Sequence, residues 1–267
     1  MYTFELINDF TMKIIDEYDE ALYLIEGEDK VLCIDAGMSK KNLYEYCLNF
    51  TDKPIELAIS HGHLDHIGQS GSFKTVYMCS KDKSLYEKHM KIEGEGHFSN
   101  EGLNILPVDQ IQEMPSVFHL GKRDIFVHPL IGHTPGSVIF IDPADHFIYT
   151  GDALGSGCGV WMQLDECSNV KSYKKSLWDI LKVFKEYNVD EEWTFFGGHD
   201  KQEFQSKVSS YNPLCLQLVK DMHKLCVGLE KGSIELEDIE IRAMSQKPYY
   251  AAYNKAEIIT TKEKSGK

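Results

Sequence analysis

The amino-terminal half of the chain alternates short apolar runs with polar turns, a pattern that predicts β-strands. The predicted strands are residues 2–7, 11–15, 20–26, 30–34, 55–59 and 75–78. Two helices are expected among them, one capped by Ser39 and running to about Phe50, the other from Ser80 to about His89. Strands and helices in this order are typical of an α/β chain.

The carboxyl-terminal half continues the alternation. Leu177, Ile180, Leu181 and Phe184 share one face of the clearest amphipathic helix. The predicted helices are residues 170–187 and 212–230. The predicted strands are residues 117–120, 124–130, 137–141, 146–149, 193–196, 234–242 and 249–260. No linker separates the tail, so the sequence predicts one domain over 1–267, with a core to about 205 and an extension over 206–267.

One stretch, residues 91–115, lacks any periodicity and is rich in glycine at its start. Loops of this length are often functional or mobile. Two interpretations stay open: a flap that brings His97 and Phe98 toward a substrate, or an irregular surface loop.

Charge and composition narrow the possible partners. The formal net charge of −14 disfavours binding to long nucleic acids or to an anionic membrane surface. No signal peptide is apparent in the first residues, and no window approaches the ~20 apolar residues of a membrane span. The seven cysteines form no C-x-x-C pair, which predicts reduced thiols and a cytoplasmic location. Cys158 is the exception among them, because it lies just after the candidate site motif that contains Asp152.

The chemistry is concentrated in the pattern H-x-H-x-D-H, formed by His61, His63, Asp65 and His66. It directly follows the predicted strand 55–59, so it is expected in the turn at the carboxyl end of a strand, where α/β sheets build their sites. Imidazole and carboxylate suit zinc, iron and manganese. One ion cannot comfortably use all four side chains, and a pair of ions ~3.5–4 Å apart is the natural interpretation.

This pattern resembles the signature of the metallo-β-lactamase superfamily, and four further motifs in the same order strengthen the resemblance. The further motifs contain Asp35 in Val31–Gly37, His133 in Gly132–Ser137, Asp152 in Tyr149–Leu154 and His199 in Phe196–Asp200. The family implies a four-layer αββα sandwich with metals at one edge between two sheets, followed here by a helix-plus-strand extension.

The resemblance also implies a role for each motif residue. The ligands of one ion are His61, His63 and His133. The ligands of the other are Asp65, His66 and His199. Asp152 bridges the two ions, while Asp35 supports the site without binding metal. Zinc is the expected metal, with iron or manganese as alternatives.

Two close metals lower the pKa of a shared water and polarise a carbonyl or phosphoryl oxygen, so no serine or cysteine nucleophile is needed. Asp65 would orient the hydroxide or receive its proton. The predicted reaction is hydrolysis of a small acyl substrate: an ester, thioester, lactone or lactam. The alternatives are a phosphodiesterase of small substrates and a persulfide dioxygenase-like oxidoreductase with a single iron.

The residues after Asp152 bear on the substrate. Gly151–Val160 resembles a glycine-cysteine-glycine turn of glyoxalase II-type thioesterases, which follow it with a lysine that holds the glutathione carboxylate. Val160 stands in that place, which disfavours glutathione thioesters. Trp161 and Met162 are expected either in the core or as an apolar pocket wall. The tyrosines of the tail are expected as strand aromatics or as hydroxyl donors to the site: Tyr249, Tyr250 and Tyr253.

Overall fold

The computed structural model describes residues 1–92, 99–155, 159–200, 214–240 and 246–266. The described elements make a mixed α/β chain, as the sequence predicts. The chain divides into two compact units: residues 1–127 with 198–200, and residues 128–197 with 201–267. No helix of the described ranges is long and apolar enough to cross a membrane.

The first unit is built on a sheet of seven strands that lie in chain order. Its strands are β1 (Thr3–Leu6), β2 (Thr11–Ile15), β3 (Ala21–Glu26), β4 (Val31–Ile34), β5 (Ile55–Ile59), β6 (Val76–Met78) and β7 (Gln112–Glu113). Strands β1 to β4 pair antiparallel, and β4 to β7 pair parallel. A hairpin of β8 (Val117–His119) and β9 (Asp124–Pro129) follows, β9 ending in the second unit.

The helices of the first unit are α1 (Leu43–Cys47), α2 (Leu64–Ile67) and α3 (Lys83–Met90). Strands β3 and β4 lie inside the sheet and are buried almost throughout, whereas the edge strand β1 is exposed. The neighbours β4 and β5 run parallel, so their carboxyl ends meet at one sheet edge. Asp35 follows β4 there and His61 follows β5 closely, which puts the motif in the turn that the sequence predicts.

The second unit contains two further groups of strands. Strands β10 (Val138–Asp142) and β11 (Phe147–Tyr149) form a hairpin, and β13 (Thr194–Phe196) pairs parallel to β11. The other group is a four-stranded sheet. Its strands, in spatial order, are β12 (Val160–Trp161), β16 (Ala256–Thr260), β15 (Tyr249–Tyr253) and β14 (Glu237–Asp238).

The helices of the second unit are α4 (Val170–Glu186), α5 (Leu216–Lys231) and α6 (Lys262–Ser265). Asn169 caps α4 by accepting a hydrogen bond from the Ser172 N–H, 2.8 Å away. The buried stripe of α4 contains Leu177, Ile180 and Phe184, as the apolar spacing predicts, whereas Leu181 is only half-buried.

Two predicted elements differ from the structure for local reasons. The prediction that Ser39 caps the first helix is wrong, because the Ser39 Oγ accepts a hydrogen bond from the Lys41 N–H in a tight turn. Asn42 caps the shorter helix α1 instead, by accepting a hydrogen bond from the Glu45 N–H. The predicted strand over 249–260 is a hairpin, because Asn254 adopts a left-handed turn conformation (φ 50°) between β15 and β16.

The irregular stretch 91–115 is partly ordered into the first sheet, since β7 pairs with β6. The flap residues His97 and Phe98, as well as Cys158, lie outside the described residues. The six cysteines of the described ranges form no disulfide. The single-domain boundary stays a prediction.

Candidate metal centre

Three histidines of the first motif are buried at the end of β5. His63 is the residue before α2 and has an extended backbone (φ −75°, ψ 154°), so the chain turns sharply into the helix that carries Asp65 and His66. His61, His63 and His66 are all less than a tenth exposed. The His61 Nε2 atom lies 3.0 Å from His63 Nδ1, so these two rings direct a nitrogen toward the same point.

Asp35 organises this end of the sheet. Its Oδ1 accepts from the Ser60 N–H at 2.7 Å, and its Oδ2 accepts from Ser60 Oγ at 2.8 Å and from His66 Nδ1 at 2.9 Å. With the proton of His66 on Nδ1, the lone pair of its Nε2 is available to a metal. Ser60 Oγ in turn lies 3.0 Å from His61 Nδ1, which fixes the same tautomer in His61. Asp35 thus supports two of the candidate ligands through its hydrogen bonds.

A second cluster in the same unit joins Asp65 and His66 to His199. Asp65 Oδ2 lies 3.8 Å from the Nε2 atoms of both His66 and His199. Two ligands that each lie ~2.0–2.2 Å from one metal ion are separated by about this distance. Glu20 completes the cluster: with Asp65, His66 and His199 it offers ligand atoms that all lie within 4.8 Å of one another.

The charges of this cluster fit a cation. Burial raises the pKa of Glu20 to about 8, His199 opposes this rise, and Asp65 adds to it. Two carboxylates this close repel each other, and a divalent ion between them and the imidazoles would offset both that repulsion and the cost of burial. The donor set of carboxylate oxygens and imidazole nitrogens is the type that holds zinc, iron or manganese.

His133 and Asp152 lie together in the second unit. His133 Nε2 is 3.7 Å from Asp152 Oδ2, and its Nδ1 donates to the Trp161 carbonyl oxygen at 2.7 Å. The backbone of β12 therefore orients this imidazole as Asp35 orients His66. The seven predicted ligands thus fall into five residues of the first unit and two of the second, clustered within each.

Tyr173 on α4 contacts both loops that carry these two residues. Its hydroxyl donates to the Ala153 carbonyl oxygen at 2.6 Å, next to Asp152. Its ring packs against Gly132, next to His133, so closely that a β-carbon there would lie 2.2 Å from Tyr173 Cδ2. Glycine is thus needed at position 132 for a close approach.

Helix α3 supports the first motif from its other side. Asp82 Oδ2 accepts from the Gly62 N–H, and His89 Nδ1 accepts from the Leu64 N–H, both at 2.9 Å. These two bonds fix the backbone immediately before and after His63. Four supporting residues lie outside the motifs that the sequence predicts: Glu20, Asp82, His89 and Tyr173. Only the presence of a carboxylate or an imidazole marked the first three, and none belongs to a local motif.

Comparison with known families decides the identity of the fold. The model of the metallo-beta-lactamase superfamily matches residues 17–203, well over half of the chain. This chain belongs to the metallo-β-lactamase superfamily. The family that the five motifs predict is confirmed, and the predicted fold class with it.

Several relatives of the superfamily have hydrolase names. The chain is 23% identical over 140 residues to a probable metallo-hydrolase, YqgX, of Bacillus subtilis, covering 51% of this chain and 66% of the relative, just under two thirds. It is 22% identical to acyl-coenzyme A thioesterase MBLAC2 of Gallus gallus, covering 61% and 66%. It is 27% identical to hydroxyacylglutathione hydrolase GloC of Haemophilus influenzae, covering 49% and 65%.

Solved structures of the superfamily share the fold at low identity. The sec-alkylsulfatase Pisa1 of a Pseudomonas species aligns with a TM-score of 0.62 at 11% identity, over 87% of this chain and 43% of Pisa1. A metallo-β-lactamase from Pontibacter korlensis aligns with a TM-score of 0.58 at 13% identity, over 85% and 99%. These similarities concern the fold alone.

The hydrogen bonds of Asp35 allow a test of its supporting role. We expect Asp35→Asn to weaken metal binding about 10–100-fold, because an amide nitrogen would face the Ser60 N–H or the His66 Nδ1–H and disturb the tautomer. Competition with a chromophoric chelator measures the affinity. Asp52→Asn, at an exposed aspartate, is the matched control. Equal affinity in the two variants would contradict the role.

The contact between Tyr173 and Ala153 predicts a loss of stability. We expect Tyr173→Phe to lower the free energy of unfolding by about 1–3 kcal/mol, because the buried Ala153 carbonyl oxygen would lose its donor. Chemical denaturation of the metal-free protein measures this, with Tyr46→Phe at a half-buried position of α1 as the control. A change no larger than that of the control would mean that the hydroxyl contributes nothing to the fold.

Proposed function

We propose that this chain is a dinuclear metallo-hydrolase that cleaves a small acyl substrate. Membership of a metallo-hydrolase superfamily and a histidine-rich candidate metal site support a hydrolase. The observation that carries the proposal is the shared arrangement of His66 and His133. In each, an acceptor holds the Nδ1–H, and Nε2 lies 3.7–3.8 Å from an aspartate oxygen.

We assign the ligands as the family resemblance implies. His61, His63 and His133 would hold one ion, Asp65, His66 and His199 would hold the other, and Asp152 would be a ligand common to both. The imidazole and carboxylate donors suit zinc, iron or manganese, and we propose zinc, with iron and manganese as alternatives. The zinc assignment and the number of two ions are part of the proposal.

When bound, the two ions supply an activated water near neutral pH and polarise the scissile carbonyl. The residues of the chain orient that chemistry. Asp65 lies beside both His66 and His199, so its carboxylate is suited to orient the water and to accept its proton at Oδ1 or Oδ2. Asp35 keeps His66 in the tautomer that leaves Nε2 for the metal.

Thioesters lead the candidate substrates, because one relative is named an acyl-coenzyme A thioesterase and another a hydroxyacylglutathione hydrolase, whose substrate class is also a thioester. Glutathione thioesters are the weaker branch. Val160, where the glyoxalase II turn has lysine, is fully buried and pairs with Ile258 in the sheet. Met162 is also fully buried, which supports the core interpretation for it, whereas Trp161 is half-exposed.

The predicted partners, location and tail tyrosines also belong to this proposal. We propose a small-molecule substrate, without long nucleic acid or a membrane as partner, and a cytoplasmic location stays a prediction. Tyr249 and Tyr250 are buried in β15 and Tyr253 is half-buried, which supports a packing role for these tyrosines.

Elemental analysis of protein purified without added metal tests the proposal, followed by a panel of acyl-coenzyme A thioesters, acylglutathiones, lactones, β-lactams and phosphodiesters. We expect about two equivalents of zinc per chain and thioester turnover that a chelator abolishes and zinc restores. A protein with about one iron that takes up oxygen with a persulfide would overturn the hydrolase assignment. Turnover confined to phosphodiesters would overturn the acyl substrate.

A further inference from the structure

Glu20 lies outside the five motifs, yet its backbone is fixed against the segment that carries His199. Glu20 and His199 form an isolated antiparallel β-bridge. On either side of it, the Ala21 N–H donates to the Gly198 oxygen at 2.8 Å, and the Asp200 N–H donates to the Asp19 oxygen at 2.7 Å. The three-residue segment 198–200 is thereby attached to the turn between β2 and β3, within the first unit.

The turn itself is held by a buried carboxylate. Asp16 Oδ1 accepts from the Tyr18 N–H at 2.8 Å and from the Glu20 N–H at 3.2 Å, while Oδ2 accepts from the Met38 N–H at 2.9 Å. These hydrogen bonds fix the backbone of the turn, including the position of the Glu20 α-carbon. Its carboxylate is therefore presented from a fixed backbone.

The side chain of Glu20 contacts the imidazole of His199. Glu20 Oε2 lies 2.7 Å from His199 Nδ1, and His199 Nε2 lies 3.8 Å from Asp65 Oδ2. On the other side of Asp65, Asp35 Oδ2 lies 2.9 Å from His66 Nδ1, and His66 Nε2 lies 3.8 Å from Asp65 Oδ2. Each of the two imidazoles thus has a buried carboxylate oxygen within 3 Å of its Nδ1 atom.

We propose that Glu20 is a positioning residue for the second metal ion: it accepts the Nδ1–H of His199 and thereby directs the Nε2 lone pair to the ion. Such a carboxylate fixes the tautomer and raises the basicity of the imidazole. This inference rests on the proposed function for the presence of the ion, but nothing in the motifs or the comparisons assigns Glu20.

A direct bond from Glu20 to the ion is the competing role, since its ligand atom is within 4.8 Å of the others in the cluster. The hydrogen-bond distance from Oε2 to His199 Nδ1 favours positioning. The two roles differ in a measurable way. Loss of a positioning residue weakens the binding of the second ion at unchanged stoichiometry, whereas loss of a ligand that the ion requires lowers the stoichiometry itself.

The test strips the full chain of metal and titrates it with Zn²⁺ against a chromophoric chelator. The proteins compared are the wild type, Glu20→Ala, Glu20→Gln and the control Glu17→Gln, which lies in the same turn. We expect Glu20→Ala to weaken the second ion about 10–100-fold and leave the first unchanged, with two ions still bound at saturation. Glutamine keeps an acceptor oxygen, so Glu20→Gln should recover most of the affinity. Glu17→Gln, at an exposed glutamate, should match the wild type.

Several results would overturn the inference. Wild-type affinity in Glu20→Ala excludes a positioning role, and saturation at one ion in both Glu20 variants assigns Glu20 as a ligand instead. Should Glu20→Ala fail to fold, Glu20→Gln still decides. A loss of the second ion at saturation contradicts positioning, as do an affinity and a Co²⁺ spectrum both identical to those of the wild type, whereas two bound ions with a changed Co²⁺ spectrum uphold it. If the wild type binds no metal, the proposed function is wrong. If the wild type binds two ions but the Glu20 variants behave as the wild type does, only the role of Glu20 is wrong. The visible spectrum of the Co²⁺-loaded protein supplies a second readout, which we expect to change in Glu20→Ala and not in Glu17→Gln.

Discussion

Replacing both His61 and His63 by alanine is expected to remove one of the two metal ions and to lower kcat/KM by about 10³-fold or more. The two side chains direct nitrogens to one point, 3.0 Å apart, from a loop whose backbone is fixed by Asp82 and His89. Loss of a Lewis acid removes several kcal/mol of transition-state stabilisation, which corresponds to this factor.

The measurement is elemental analysis of the purified variant together with its turnover of the best substrate from the panel. His119→Ala is the control, because that side chain is 71% exposed on β8 and pairs with Asp124 of its own hairpin. Its metal content and rate should equal those of the wild type. Unchanged metal content in the double variant would show that the site is assigned to the wrong residues.

The five motifs could be identified from sequence because each is a short stretch in which chemistry and local structure coincide. The motif of His61 to His66 follows a strand of five residues, four of them buried, and the parallel pairing of β4 with β5 brings Asp35 to the same edge. The buried face of α4 could be predicted in the same way, since Leu177, Ile180 and Phe184 recur at helical spacing. Elements whose pattern repeats over a few residues need no knowledge of the fold.

The supporting residues could not be identified in this way, because their partners are distant in sequence. Glu20 contacts His199, and Tyr173 contacts Gly132 and Ala153, only after the sheets have formed. A glutamate in a turn and a tyrosine in a helix are common, so neither residue type signals a role. The choice of Asn42 over Ser39 as a helix cap was likewise decided by a competing local turn, which the residue types alone do not reveal.

Motif residues and supporting residues are expected to affect metal binding in different ways when they are substituted. In the proposed site the ligands would hold the ions. Asp35 and the Trp161 carbonyl oxygen accept the Nδ1–H of His66 and His133, and we propose the same role for Glu20 at His199. Substitutions of the supporting residues are therefore expected to change metal affinity by one or two orders of magnitude while leaving the ligand set complete. Substitutions of the ligands themselves should change the stoichiometry, which separates the two groups experimentally.

The second large effect is expected from Asp65→Asn, which should lower kcat by about 10³-fold and weaken the second ion. Asp65 has two roles in the proposed mechanism: it binds the second ion and it accepts the proton of the attacking water. An amide keeps the shape of the side chain but has no charge and cannot accept that proton. Asp65 Oδ2 lies 3.8 Å from both His66 Nε2 and His199 Nε2, so this carboxylate stands close to both imidazoles.

Titration with excess Zn²⁺ separates the two roles of Asp65. If metal binding alone were lost, saturating Zn²⁺ would restore the rate of Asp65→Asn; we expect the second ion to return and kcat to stay low, because the proton acceptor is still missing. Asp109→Asn, at an exposed aspartate outside the candidate site, controls for the change of charge. Full recovery of kcat in Asp65→Asn at saturating Zn²⁺ would mean that Asp65 acts only as a ligand and that another group accepts the proton of the water.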